Sequence, residues 1–155
     1  MGYRRLPHPD DMTDPDHYRR LERLYQSAPV TRWFGTTLRV TEGAAEVRVD
    51  VRPEFHHAAQ AVHGSVYFRL LDDAAFFAAN SRVPDVLVLT VSFTVHFLRP
   101  VKDGELRAAG RVVHASGRLF LAEAQLFDAA EQLLGQGSGL FTRSGIALDA
   151  SVGYV

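Results

Sequence analysis

The chain contains no cysteine. That one absence excludes a disulfide framework, a thiolate zinc site, an iron–sulfur cluster and a cysteine nucleophile, and it suits a reducing compartment. Charge of one sign is also missing. Seventeen Lys and Arg face 18 Asp and Glu for a net charge of -1, so no excess of positive charge draws in nucleic acid or an anionic membrane. Lysine itself is almost absent, Lys102 being the only one. No apolar run approaches the roughly 20 residues of a membrane span. The opening segment, MGYRRLPHPDDMTDPDHYRR, lacks the roughly 7–15-residue apolar core of a secretion signal. The expectation is a cytoplasmic protein with neither a nucleic-acid nor a membrane partner. What remains is 155 residues, 46% of them apolar, enough for one sizeable core and one domain.

Along the chain, residues 1–13 read as a loose lead, residues 14–143 as a single domain and residues 144–155 as a loose tail. Asp14 and Pro15 suit the N-cap and first position of a helix. Tyr18, Leu21, Leu24 and Tyr25 recur at helical spacing until Pro29. Ala45, Val47, Val49 and Val51 then alternate with polar residues as in a half-buried strand, paired through Thr41-Glu42-Gly43 with a strand over 36–40. After a histidine-bearing loop, residues 65–80 form the one long stretch of helix formers. Its apolar residues run right round the axis, so it is expected to be buried on all sides. From Val86 onward the pattern is strand and turn. Leu87, Leu89, Val91, Phe93, Val95 and Phe97 share one face, opposite Thr90, Ser92, Thr94 and His96. Turns at Lys102-Asp103-Gly104, Ser116-Gly117 and Ala129-Ala130-Glu131 complete an expected antiparallel meander. The glycine-rich run 135–139 belongs to its last strand and not to a phosphate loop, because no helix follows it. A helix that is apolar all round lies on the concave face of such a sheet, which covers one side; the other side calls for a second copy of the chain.

Asp72 and Asp73 carry charge into that helix, where a carboxylate is costly unless paired. Arg69 lies three and four residues earlier and suits Asp73 at i,i+4. The two carboxylates point about 100° apart, so one Arg cannot serve both equally and one is left for another task. His63-Gly64-Ser65 opens the same helix, where unpaired backbone N–H groups favour an anion or a developing oxyanion. His56, His57 and His63 have no metal-ligand spacing and no nearby carboxylate or cysteine to complete a zinc site; His96 reads as a packed or surface histidine.

Taken together, His63-Gly64 with Asp72 eight residues on, the strand from Thr90 ending His96-Phe97-Leu98-Arg99-Pro100, and Asp103-Gly104-Glu105-Leu106 resemble the hotdog-fold thioesterases. The closest likeness is to the phenylacetic-acid-pathway (PaaI-like) acyl-CoA thioesterases, over roughly residues 33–143. The resemblance implies an α+β hotdog fold: a long central helix wrapped by a curved antiparallel sheet of about six strands, here with an extra N-terminal helix. It implies an acyl-CoA substrate and no cofactor or metal. The family's helix-leading histidine falls on His63 and its oxyanion-hole N–H on Gly64. Its base or nucleophile falls on Asp72, not Asp73, and its water-positioning hydroxyl on Thr90. The family's Asn six residues before the histidine is here His57, and its His-Gly-Gly is here His-Gly-Ser.

Gly64 and Asp72 are eight residues apart, about 12 Å along one helix, whereas an oxyanion donor and a base both act within about 3 Å of the reacting group. Two antiparallel helices across a dimer axis meet that demand, so a homodimer is expected, with a dimer of dimers as the larger alternative. Two other functions fit the same chain: a non-catalytic acyl-CoA-binding protein, motivated by His57, and a hydroxyacyl-thioester dehydratase.

Overall fold

Residues 14–155 are described by a computed structural model; the lead over 1–13 lies outside the described residues. Helix α1 (Pro15–Ser27) begins as its sequence dictates, with the Asp14 side chain accepting from the Asp16 N–H and Pro15 at the start. Its apolar stripe, Tyr18, Leu21, Leu24 and Tyr25, is buried. Pro29 ends that helix and also opens another, α2 (Pro29–Phe34), because proline lacks only an N–H that a first turn leaves unpaired anyway. Strands β1 (Thr37–Thr41) and β2 (Ala44–Asp50) form a hairpin. Helix α3 (Gly64–Asn80) follows, then β3 (Val86–Phe97), β4 (Glu105–Ser116), β5 (Leu119–Phe127) and β6 (Leu133–Ala147). Among the described residues no helix is long and apolar enough to cross a membrane.

The strands make one six-stranded antiparallel sheet in the order β1-β2-β4-β5-β6-β3, with α3 packed against it. The expected meander is therefore corrected. β3 pairs with β6 and not with β4, so residues 98–104 are a crossover and not a hairpin turn. This connection is tied down beside the start of α3: the Val62 N–H donates to the Val101 carbonyl at 2.9 Å, and the His56 Nε2–H donates to the Lys102 carbonyl at 2.7 Å.

A second correction concerns β3. Its register slips between Thr90 and Ser92, leaving Val91 as the extra residue of a β-bulge. The bulge reverses which parity faces α3. Before it Val88 is buried and Thr90 reaches Asp72 of α3; after it Phe93 and Phe97 meet Phe68 and Tyr67 of α3. Leu89 and Val91 are exposed. The expected single apolar face does not exist. As expected of a sheet that covers one side of α3, the other side is open on the single chain: Phe68 is 42% exposed, and Asp72, Asp73 and Phe76 are half-buried. The third correction is to the tail. Residues 144–147 continue β6, and the segment beyond packs on α1, where the Tyr154 hydroxyl lies 2.7 Å from His17 Nδ1.

Small residues set the spacing between layers. Gly135, Gly137 and Gly139 of β6 stand opposite Phe97, Val95 and Phe93 of β3, and a Cβ at Gly137 or Gly139 would run into the Phe93 ring. The glycine run thus makes room for an aromatic ring laid across the strand. At Gly110 of β4 the obstacle is backbone: a Cβ would stand 2.7 Å from the Ala75 nitrogen and closer still to the Ala74 carbonyl. Asn80 locks the far end of α3, its amide donating to the Val83 and Val86 carbonyls and its oxygen accepting from the Val88 N–H.

Gly110→Ala is expected to lose about 1–3 kcal/mol of stability, because neither helix nor strand backbone can yield locally. Chemical denaturation monitored by circular dichroism measures the loss.

Candidate active site

Helix α3 begins on an unusual cap. His63 stands at the N-cap, its Nδ1 accepting from the Ser65 N–H at 3.0 Å and lying 2.8 Å from the Ser65 hydroxyl. The Val66 N–H donates to the His63 carbonyl at 3.0 Å. Two of the first-turn donors are thereby used, and among the described residues the Gly64 N–H meets no acceptor. It is a free donor at the positive end of a 17-residue helix, the setting in which anions bind. Histidine, and not Gly or Ser, supplies the cap.

Gly64 opens onto a cleft of about 330 Å³ shared with His57, Tyr67, Phe97 and Arg99. The Phe97 ring lies against Gly64, where a Cβ would come within 2.9 Å of it. The Tyr67 hydroxyl donates to the Arg99 carbonyl at 2.6 Å and holds that wall to α3. His57 uses Nδ1 to accept from the Ala59 N–H at 3.0 Å, and its ring lies edge-on to His63 with centroids 6.4 Å apart. His57, His63 and Gly64 are therefore brought together. His56 is turned to the Lys102 carbonyl, and among the described residues no three His, Cys, Asp or Glu side chains converge as a metal site. His96 lies on the outer face of the sheet in register with Gln136.

Asp72 and Thr90 form the second cluster, two turns further along α3. The Thr90 hydroxyl donates to Asp72 Oδ1 at 3.0 Å. Burial raises the Asp72 carboxyl above its ordinary value, against the smaller opposing pulls of the Thr90 hydrogen bond and the Arg69 charge. Phenylalanines surround the pair. Phe68 and Phe76 flank Asp72 at i−4 and i+4, Phe68 meets Phe93 edge-on at 5.7 Å, and Phe141 meets Phe76 at 6.0 Å. Asp73 points elsewhere. It accepts from the Tyr25 hydroxyl at 2.8 Å and pairs with Arg69 at 3.3 Å. Tyr25 and the Thr31 contact of Arg69, at 3.1 Å, carried no sequence signal beyond helical spacing and burial. On a single chain the Gly64 and Asp72 clusters stay about 12 Å apart along α3.

Residues 59–134 match the sequence profile of the thioesterase superfamily. That segment is just under half of the chain. The sheet order and the wrapped helix are those of the hotdog fold, which its structural neighbours share. The PaaI protein of E. coli, from the phenylacetic acid degradation operon, superposes with a TM-score of 0.78 at 22% identity, over 85% of this chain and 96% of that one. A conserved protein from Pseudomonas aeruginosa gives 0.72 at 27% identity, over 76% and 94%. A thioesterase from Haemophilus influenzae gives 0.73 at 15% identity, over 81% and 88%. No curated protein matches at the level of sequence. The matched segment takes in His63, Gly64, Asp72 and Thr90 and leaves out His57, α1, α2 and the first hairpin.

Because the Thr90 hydroxyl favours the charged form of Asp72, Thr90→Val is expected to raise the Asp72 titration midpoint. A ¹³C NMR titration of the Asp72 carboxyl reads this directly. Any reaction that needs the carboxylate would then be lost at a higher pH on acidification.

Proposed function

We propose that the protein hydrolyses an acyl-CoA thioester to the free acid and CoA. The observation that carries this reading is a free N–H at the head of α3 together with a half-buried, hydroxyl-bonded carboxylate two turns along the same helix. The match of residues 59–134 to the thioesterase superfamily supports thioester hydrolysis as the chemistry. The Gly64 N–H polarises the thioester carbonyl, a contribution of about 2.7–4 kcal/mol to the transition state for one good donor. Asp72, held above the usual carboxylate range by burial, acts as general base on water or as nucleophile. Thr90 orients that carboxylate. His57 and Arg99 line the approach to Gly64.

The two groups act on one carbonyl only if they come from different chains, so the working unit is a homodimer with two sites. The two edges of the sheet support this reading. At the β1 edge, Val40 is engaged on both sides of its peptide by α1: its N–H donates to Glu22 Oε1 at 2.8 Å and its carbonyl accepts from Arg19 at 2.7 Å. Among the described residues no strand pairs with the outer edge of β3; Asn80 takes the Val86 carbonyl and the Val88 N–H, and Leu89 and Val91 beyond them are exposed. A long apolar unpaired edge is a template for another strand. Joining two β3 edges about a two-fold axis sets the α3 helices antiparallel beside one another.

The purified protein is expected to release free thiol from at least one member of a panel of short, medium, long and aryl acyl-CoAs. Asp72→Asn should cost about 10²–10⁴-fold in rate, while Asp73→Asn stays within about tenfold of the parent. Tight binding without thiol release across the whole panel would replace the enzyme with an acyl-CoA-binding protein.

Sharing of the site has its own experiment. Asp72→Asn and Gly64→Pro are each expected to be inactive, the second because proline removes the oxyanion N–H; its folding and dimerisation are verified first, since its Cβ meets the Phe97 ring. Mixing the two with verified subunit exchange should restore about a quarter of parental activity, since half the dimers are mixed and each carries one intact site. Exchange without recovered activity would assign both groups to one chain.

A further inference from the structure

The proposed mechanism uses Asp72 and leaves Asp73 without a task. The two carboxylates are adjacent on α3 with one cation in reach among the described residues, Arg69, and its allocation is uneven. Arg69 Nη2 lies 3.3 Å from Asp73 Oδ2 and donates to Thr31 Oγ1 of α2 at 3.1 Å. Its guanidinium rests 4.6 Å over the Phe34 ring and 6.0 Å from the Tyr25 ring. Asp73 also accepts from the Tyr25 hydroxyl at 2.8 Å. That hydroxyl has a single proton, so the Thr36 hydroxyl, 2.8 Å away, donates to it in turn. Asp72 is left with Thr90 alone.

We propose that Asp73 is a positioning residue: by engaging Arg69 it keeps the guanidinium on the α1–α2 side of α3 and leaves Asp72 without a salt bridge. The inference rests on the reading of Asp72 as the reacting group. A carboxylate in a salt bridge is stabilised in its charged form and becomes a weaker base. An Arg swung onto Asp72 would therefore blunt the group that the reaction needs. The tethers that prevent this come from Tyr25 of α1, Thr31 and Phe34 of α2, and Thr36 before β1. All four precede the segment that matches the superfamily profile, so the elements outside the shared segment reach the reacting carboxylate through Arg69.

The charged groups acting here are few. Asp72 meets Arg69 of α3 and the neutral Thr90 hydroxyl of β3. Asp73 meets Arg69 and Asp72 of α3 and the Tyr25 hydroxyl of α1. Burial pushes the Asp73 carboxyl up to about 6 against the opposing pulls of Arg69 and Tyr25. It therefore remains mostly charged at neutral pH and able to hold the guanidinium.

The test is the Asp72 titration midpoint, read by carboxyl ¹³C NMR, in a double-mutant cycle over Asp73→Asn and Arg69→Gln. Asp73→Asn should lower the midpoint by about one unit, a tenfold change in proton affinity, because Arg69 turns to Asp72. The acid limb of kcat/KM should move down with it. In the Arg69→Gln background the same Asp73→Asn change should move the midpoint by less than half as much. Asp73→Glu should restore the parental value. A midpoint unmoved or raised by Asp73→Asn, or an equal shift in both backgrounds, overturns the proposal. If Asp73→Asn does not fold, Thr31→Val releases one tether of Arg69 and keeps both carboxylates. It should give a smaller downward shift, and no shift there is equally fatal. The NMR midpoint does not depend on turnover. Failure of the enzymatic reading appears separately, as full activity in Asp72→Asn or as no thiol release.

Discussion

The contact between α3 and β4 at Gly110 governs the rest of the molecule. Helix backbone and strand backbone approach so closely there that not even a methyl group fits between them. The helix can do this because Ala74, Ala75 and Ala78 make its sheet-facing side shallow, and all three are buried. Once that side is pressed to the sheet, the rotation of α3 about its axis is set. Phe68, Asp72 and Phe76, spaced by four, must turn to the uncovered side. Arg69 and Asp73, one step round, must turn towards α1 and α2. The division of two adjacent carboxylates into a solitary one and a salt-bridged one is thus a consequence of steric fit at a glycine on the opposite face.

Much of this is legible in the sequence because it rests on local spacing. The i,i+4 relation of Arg69 to Asp73 is a property of any helix, and spacing alone assigns Asp73 its partner. The strands and the buried helix follow from the periods of their apolar residues. What sequence periodicity hides is anything that breaks register or joins distant segments. The alternation from Leu87 to Phe97 runs without interruption, yet one extra residue at Val91 reverses its facing. Without that bulge Thr90 would point away from α3, and Asp72 would have no hydroxyl partner. The pairing of β3 with β6 is invisible for the same kind of reason: neighbours in sequence are the natural first guess, and only the crossover tied to Val62 and His56 forces the alternative. Tyr25, Thr31 and Thr36 carry no motif, because their role is defined by what α3 presents to them.

The two clusters along α3 differ in electrostatic character as well as position. At the head of the helix an N–H without an acceptor and the positive end of the backbone dipole favour incoming negative charge. Two turns on, desolvation among phenylalanine rings disfavours the negative charge already present on Asp72. One end is therefore primed to accept charge and the other to give it up. A pair of chains that sets the head of one helix beside the middle of the other places these opposed preferences together.

The docking of residues 148–155 on α1 bears on how the chain folds. His17 donates through Nε2 to the Asn80 carbonyl at 3.0 Å and accepts through Nδ1 from Tyr154, and Arg23 reaches the Val155 carbonyl. The contacts with Tyr154 and Val155 span 137 and 132 positions of sequence. During synthesis α1 emerges early, yet part of its seat does not exist until the last strand and the segment beyond it have been made. Long-range closure of this kind slows folding, and it leaves the apolar stripe of α1 without its full cover while the sheet assembles. The same helix shields the β1 edge in the folded chain, where Glu22 and Arg19 hold Val40. A ribosome-bound intermediate truncated before Asp149 should accordingly present a different surface to chaperones than the released protein does.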